Sequence, residues 1–207
     1  MIRTVEAPQR TRVIKAAAQL FAARGFHAVS MSDIQEAVQL GRGALYHHIR
    51  SKEELLYDII HEYIADLVEF GLSLSRELDA RERVQILGRN LILKIAANKA
   101  ELSVCFREDH ALTGPRREEV VRLHSTYQRI WRDALVDGAE AGVFRPYDPI
   151  IWKSLVGMYF HSFRWIKPDG GLSPEDVAAR LNELALQALA PPNEIHSLGK
   201  PAEATVG

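Results

Sequence analysis

The chain has 207 residues, 47% of them hydrophobic and 26% charged, with a net charge of −1 and a single cysteine, Cys105. That is the composition of an ordinary soluble globular protein, long enough for one large core or two smaller ones. One cysteine excludes an internal disulfide framework and a cysteine-rich zinc site, and suits a reducing cytoplasm, where the protein is expected to reside.

The N-terminal stretch has no apolar signal core. The longest charge-free stretches, such as Ser154 to Phe163, fall well short of the roughly 20 residues of a membrane helix. No membrane insertion is expected. The near-zero net charge hides an asymmetry: residues 1–52 carry +5 and residues 53–207 carry −6. A basic head on an acidic body suits a polyanion partner for the head, or is chance sorting of surface charge.

Nearly every segment shows a 3.6-residue apolar period, and none alternates convincingly with period 2. The first predicted helix runs from Arg10 to Arg24, with Val13, Ile14, Ala17, Leu20 and Phe21 on one face. Gly25 ends it, and Phe26 can fold back as the hydrophobic contact of that cap. Ser30 with Asp33 reads as a capping box and opens a short helix carrying Met31, Ile34, Ala37 and Val38. After a turn at 39–41, a third short helix buries Leu45 and Ile49. Ser51 with Glu54 is a second capping box, starting a long helix to about Leu74 whose inner face holds Leu55, Ile59, Tyr63 and Leu67.

Five more helices are predicted at 80–98, 99–112, 116–141, 149–165 and 173–189. The breakers between them are "TGP", "AGVFRPYDP" and "KPDGGLSP". Ser173, Pro174, Glu175 and Asp176 make a strong helix start. The fold class is all-α, about nine helices: a three-helix N-terminal helix-turn-helix domain (1–52), a C-terminal helical bundle (53–190) and a flexible tail (191–207) with no period.

Two short helices joined by a tight turn, packed on a preceding helix, form a unit whose second short helix can enter the DNA major groove. With Leu45 and Ile49 inward, that helix turns Arg42, Gly43, Ala44, Tyr46, His47 and His48 outward. Small Gly43 and Ala44 allow close approach to the groove. Arg42 is the long donor suited to a bidentate guanine contact. Tyr46, His47, His48 and Lys52 offer donors suited to phosphates. A metal reading of Tyr46, His47 and His48 is weak, because adjacent helical side chains point about 100° apart. A nucleophile reading of Cys105 with Asp109 and His110 is weak for a similar reason: positions i and i+5 lie on different helix faces. No catalytic residue, metal site or cofactor is expected.

"VIKAAAQLFAARGFHAVSMSDIQEAVQLGRGALYHHIRSKEELL", Val13 to Leu56, resembles the DNA-binding domain of the TetR/AcrR family of bacterial transcriptional regulators. The resemblance implies a homodimer on a palindromic double-stranded operator, with the last two helices pairing between subunits. It also implies DNA contacts from Met31 and Ser32 and from the stretch Arg42 to Lys52. Two positions depart from the family pattern. Gln39 stands where the family has glycine in the tight turn, so φ > 0 there is costly. Gly41 stands where the family has a Ser or Thr N-cap, and brings no side-chain acceptor.

The family couples DNA binding to a ligand in the C-terminal bundle. Aromatic or polar groups on apolar helical faces are the candidates: His124, Tyr127, Gln128 and Trp131 in one helix, Tyr159, Phe160 and Arg164 in another. Each aromatic alone is more often a core or dimer-interface residue than a ligand contact. Gly157 could admit a close neighbour. "YQRIWRDALVDGAEAGVFRP" and "SFRWIKPDGGLSPEDVA" further resemble the TetR-like repressors of fatty-acid or steroid-ring degradation that respond to acyl-CoA thioesters. That implies an apolar tunnel, with Arg107, Arg164 or Lys167 near the CoA phosphates. A regulator of efflux or stress genes sensing a free hydrophobic compound is the alternative, and a helical enzyme or interaction protein without DNA binding is a remote one.

Overall fold

The computed structural model describes residues 9–75, 77–167 and 170–191. Among them are nine α-helices: α1 Gln9–Arg24, α2 Met31–Val38, α3 Arg42–His48, α4 Lys52–Ser73, α5 Ala80–Ala97, α6 Lys99–Glu108, α7 Gly114–Glu140, α8 Pro149–His161 and α9 Pro174–Leu189. Short 3-10 turns follow α6 and α8. None of the described helices is long and apolar enough to cross a membrane. Apart from Pro191, the expected tail lies outside the described residues.

The helix starts follow the local code. Ser30 and Asp33 form a complete capping box on α2, and Ser173 and Asp176 form another on α9, with Pro174 in the first turn. The box expected on α4 is altered. The Glu54 N–H donates to Ser51 Oγ at 3.1 Å, but the Glu54 carboxylate accepts from the Arg50 N–H at 3.0 Å instead of from Ser51. Helix α7 begins two residues before the predicted Arg116. Pro115 fixes φ near the helical value and lacks only an N–H that the first turn leaves unbonded anyway. Helices α6 and α8 end earlier than predicted, each tightening into a 3-10 turn.

Residue contacts gather into two compact units. Among the described residues, one joins residues 9–70 with Ala97–Tyr127, and the other joins Gly71–Ala96 with the described residues from Gln128 onward. In the first, α6 and the first half of α7 cluster with α1 to α4.

In the first unit, α1 packs on α2, α3 and α6. Its core holds Val13, Ile14, Ala17, Ala18 and Phe21 of α1, Ile34 of α2, Leu45 of α3, and Leu55, Ile59, Tyr63 and Leu67 of α4. Leu20, expected on the same inner face of α1, is only half-buried, and Ala18 takes the buried position instead. Phe21 and Phe26 meet edge to face, with ring centres 5.3 Å apart.

The second unit is built on α5, the second half of α7, α8 and α9, with α8 packed on α9. Gly88 of α5 permits a close approach. A Cβ there would lie 2.2 Å from Asn182 Oδ1 and 2.7 Å from the Tyr159 hydroxyl. Tyr159 donates to Asn182 Oδ1 at 2.7 Å, and Asn182 Nδ2 donates to the Gln85 carbonyl at 2.8 Å. This buried chain satisfies polar atoms that would otherwise cost about 1–3 kcal/mol each.

Candidate nucleic-acid interface

Helix α3 is held from below and open above. Leu45 and Ile49 are fully buried. Arg42, Gly43, Ala44, Tyr46 and His47 are exposed, and His48 is half-buried. The Arg42 guanidinium carbon lies 5.8 Å from the centre of the Tyr46 ring, a cation–π spacing. The His47 and His48 rings stand edge to face, 5.2 Å apart. On α2, Ser32 is exposed and Met31 half-buried. A Cβ at Gly41 or Gly43 would meet nothing within 4 Å. The small residues therefore leave open space outside the helix instead of relieving a clash within the protein.

The turn between α2 and α3 carries the strain that its sequence implies. Gln39 has φ 54° and ψ 42°, and among the described residues no other non-glycine has positive φ. Its N–H closes the end of α2 on the carbonyls of Gln35 and Glu36. Gly41 is the N-cap of α3 and makes no side-chain cap bond. Both departures therefore sit where the left-handed and capping conformations fall.

The start of α2 is pinned by charge. Asp33 accepts from the Ser30 hydroxyl and backbone N–H, and pairs with Arg24 at 2.8 Å. These bonds, those from Ser30 foremost, hold its carboxyl well below the usual carboxylate range.

Lys52, expected to face a phosphate, has its ammonium bonded within the protein. It donates to the carbonyls of Phe26 and Val29, both at 2.9 Å, and lies 4.5 Å from the centre of the Phe26 ring. The carbonyls end the loop between α1 and α2 without helical partners, and a compact cation satisfies two at once. Arg107 is also redirected. Its Nη1 donates to the Ala22 carbonyl at 3.0 Å, near the end of α1.

The remaining effector candidates are distributed over both units. His124 and Tyr127 belong to the first unit; Gln128, Trp131, Tyr159, Phe160 and Arg164 belong to the second. Trp131 and Tyr159 are core residues, 1% and 0% exposed, with ring centres 5.2 Å apart. Tyr159 already spends its hydroxyl on Asn182. Tyr127 is buried, His124 and Phe160 are half-buried, and Gln128, Arg164 and Lys167 are exposed. The Arg164 guanidinium lies 5.8 Å from the Phe163 ring centre. A Cβ at Gly157 would meet nothing within 4 Å, so among the described residues no close neighbour occupies that side of α8. A small cleft in the second unit is lined by Leu135, Arg145, Pro146, Tyr147, Asp148, Ile151 and Leu189, none of them predicted for a ligand.

Two buried groups of the first unit carry shifted titration, and of these the sequence reading weighs Cys105 but not Tyr63 for a functional part. The Tyr63 hydroxyl is buried with no hydrogen-bond partner, and burial pushes its pKa well above the usual phenol value. Cys105 is buried too, and burial, with Glu101 adding to it, pushes its thiol up, away from nucleophile chemistry.

The model for bacterial regulatory proteins of the tetR family matches residues 13–59, and the model for the tetracyclin repressor-like C-terminal domain matches 77–189. The chain belongs to the TetR family. Its two matched segments span both helical parts, and the family places it among transcriptional regulators, not enzymes. The HTH-type transcriptional repressor KstR2 of Rhodococcus jostii is 27% identical over 189 residues, covering 89% of this chain and 93% of that protein. The solved structure of the ketosteroid transcriptional regulator KstR2 of Mycobacterium tuberculosis superposes with a TM-score of 0.81 at 25% identity, covering 90% of this chain and 97% of that one. AibR, solved in complex with isovaleryl coenzyme A and operator DNA, gives a TM-score of 0.74 at 26% identity, covering 86% and 98%.

Proposed function

We propose that this TetR-family protein is a dimeric repressor that reads a palindromic operator through α2 and α3 and releases it on binding an acyl-CoA thioester. The observation that carries the DNA-binding part is the two-sided character of α3: Leu45 and Ile49 locked in the core, Arg42, Gly43, Ala44, Tyr46 and His47 open to solvent. Arg42 supplies the base-reading fork, while Tyr46, His47 and His48 supply phosphate donors. The excess positive charge of residues 1–52 supports the same reading.

In this reading residues 1–52 read DNA, and residues 53–190 hold the effector and the partner subunit. Exposed apolar side chains favour a partner at the last two helices: Ile150 of α8 is 69% exposed and Leu184 of α9 is 52% exposed. The two recognition helices of the dimer must sit roughly 34 Å apart to enter successive major grooves. An effector shifts that spacing only by its differential affinity for the two states. The acyl-CoA class is supported by the relatives: KstR2 is a repressor named for ketosteroids, and AibR binds isovaleryl coenzyme A.

Fluorescence anisotropy on the DNA upstream of its own gene tests both parts. Binding should weaken steeply with salt. It should then be reversed by members of a panel of acyl-CoAs, but not by the matching free acids or by CoA alone. Release by free hydrophobic compounds and by no thioester sinks the acyl-CoA assignment and leaves the repressor standing.

A further inference from the structure

The loop from α1 to α2 is gripped at one residue from two directions. The Phe26 N–H donates to Glu108 Oε1, at the end of α6, at 3.2 Å. The Phe26 carbonyl accepts from Lys52 Nζ, at the start of α4, at 2.9 Å. Both anchors are paired with opposite partial charge: an anion on an N–H, a cation on a carbonyl, the stronger type of hydrogen bond. Glu108 is only 7% exposed. A buried carboxylate is a costly way to satisfy one backbone N–H, unless its position is what matters.

The grip reaches α2 directly. Lys52 also holds the Val29 carbonyl, immediately before the N-cap Ser30. The ring of Phe26 meets both the Phe21 ring, edge to face at 5.3 Å, and the Lys52 ammonium, at 4.5 Å, so the side chain is held as well as the backbone. Gly25, at φ +83°, makes the turn that points the Phe26 N–H at Glu108.

We propose that Glu108 and Lys52 are positioning residues for operator recognition. Acting through the two ends of Phe26, they set the direction in which α2 leaves α1, and so the presentation of α2 and α3 to the groove, without touching DNA. This rests on the reading of α2 and α3 as the DNA-binding pair, and it gives Lys52 a different part from a phosphate ligand.

The test compares Lys52→Met, Lys52→Arg, Glu108→Leu and Glu108→Gln with the wild-type full chain. It measures affinity for the operator and for an unrelated duplex across a salt series, with thermal melts alongside. Arg keeps a charge that reaches a phosphate but cannot place a compact ammonium between two carbonyls and a ring. Gln keeps an acceptor for the Phe26 N–H. Lys52→Met, Lys52→Arg and Glu108→Leu should each weaken operator binding about tenfold, while binding to the unrelated duplex changes by less than about threefold. Glu108→Gln should stay close to wild type. The salt slope should be unchanged in Lys52→Met, whereas a lost phosphate contact lowers it by about one. Since Lys52→Arg and Glu108→Gln are the gentlest changes, they decide the matter if the other two melt early. A wild-type operator affinity in Lys52→Arg, a lowered salt slope in Lys52→Met, or an equal loss on both duplexes overturns the proposal. Absence of salt-dependent binding by the wild type instead overturns the DNA-binding reading beneath it.

Discussion

Arg42 lies over the ring of Tyr46, one helical turn further along α3, with its guanidinium carbon 5.8 Å from the ring centre. The ring limits the rotamers of a long exposed side chain before any DNA arrives, so less freedom is lost on forming a bidentate contact. Arg42→Ala should weaken operator binding by about 1–3 kcal/mol and relax sequence preference at one base pair in each half-site. Arg42→Lys should restore the charge but little of the discrimination, because an ammonium has no fork. Anisotropy titrations on the operator and on single-base variants check this, and unchanged preference in Arg42→Ala removes Arg42 from the base-reading role.

Gly43 separates folding from binding. It lies inside α3, where glycine costs about 0.5–1 kcal/mol relative to alanine, and a Cβ there meets nothing within 4 Å. Gly43→Ala should therefore raise the melting temperature slightly. If the groove approaches as closely as proposed, the methyl group weakens operator binding, and Gly43→Val weakens it further. Melts and operator titrations on both variants test this. Full operator affinity in Gly43→Val shows that this face stays clear of the DNA.

The local geometry of α2 and α3 was legible in the sequence because its determinants are local. Ser30 with Asp33 marks where α2 begins, and the four-residue spacing of Leu45 and Ile49 fixes which side of α3 faces out. The intramolecular partners of Lys52 and Arg107 were not legible, because they are remote in sequence. Lys52 bonds carbonyls 26 and 23 positions away, and Arg107 one 85 away. Backbone carbonyls carry no residue-type signature, so spacing alone cannot say which of them a cation will meet. The buried placement of Trp131 and Tyr159 was ambiguous in the sequence for another reason. An aromatic residue on an apolar helical stripe has the same pattern whether it lines a pocket or fills a core. The discriminating signals were quieter: Gly88 inside a helical run and Asn182 on the inner face of α9 mark the close approach that commits Tyr159 to the core.

Gln39 stores removable strain. It occupies the left-handed region at φ 54°, which costs a residue with a Cβ roughly 1–2 kcal/mol. Glycine relieves that and forfeits roughly 0.5–1 kcal/mol through its freer unfolded chain. The balance predicts that Gln39→Gly stabilises the protein by about 0.5–1 kcal/mol, and that Gln39→Val, β-branched at positive φ, destabilises it. Urea melts resolve both signs. A stabilised valine variant means that the turn does not hold this conformation in solution.

His124 gives the fold a pH dependence of definite sign. It is half-buried on α7, and burial lowers its pKa below the ordinary histidine value, with Asp109 acting in the opposite direction. The folded state therefore prefers the neutral ring. In the unfolded chain the ring takes up a proton near pH 6.5. Between that value and the lower folded one, the unfolded state binds more protons, so stability rises with pH across this window. The contribution of His124 is fully present above about pH 6.5 and is lost as the pH falls toward the folded pKa. Asp33 and Asp176 have lowered pKa values as well, both chiefly through Ser hydroxyl bonds in their capping boxes. Their contribution is present above the ordinary aspartate value of about 4 and is lost as the pH falls below it, so it lies under the histidine window. His124→Gln, neutral at every pH, should lose less stability than wild type between pH 7.5 and 5.5 and the same amount below about pH 4. Urea melts of the two proteins at these pH values measure the difference, and parallel losses from pH 7.5 to 5.5 would show that His124 is not the group responsible.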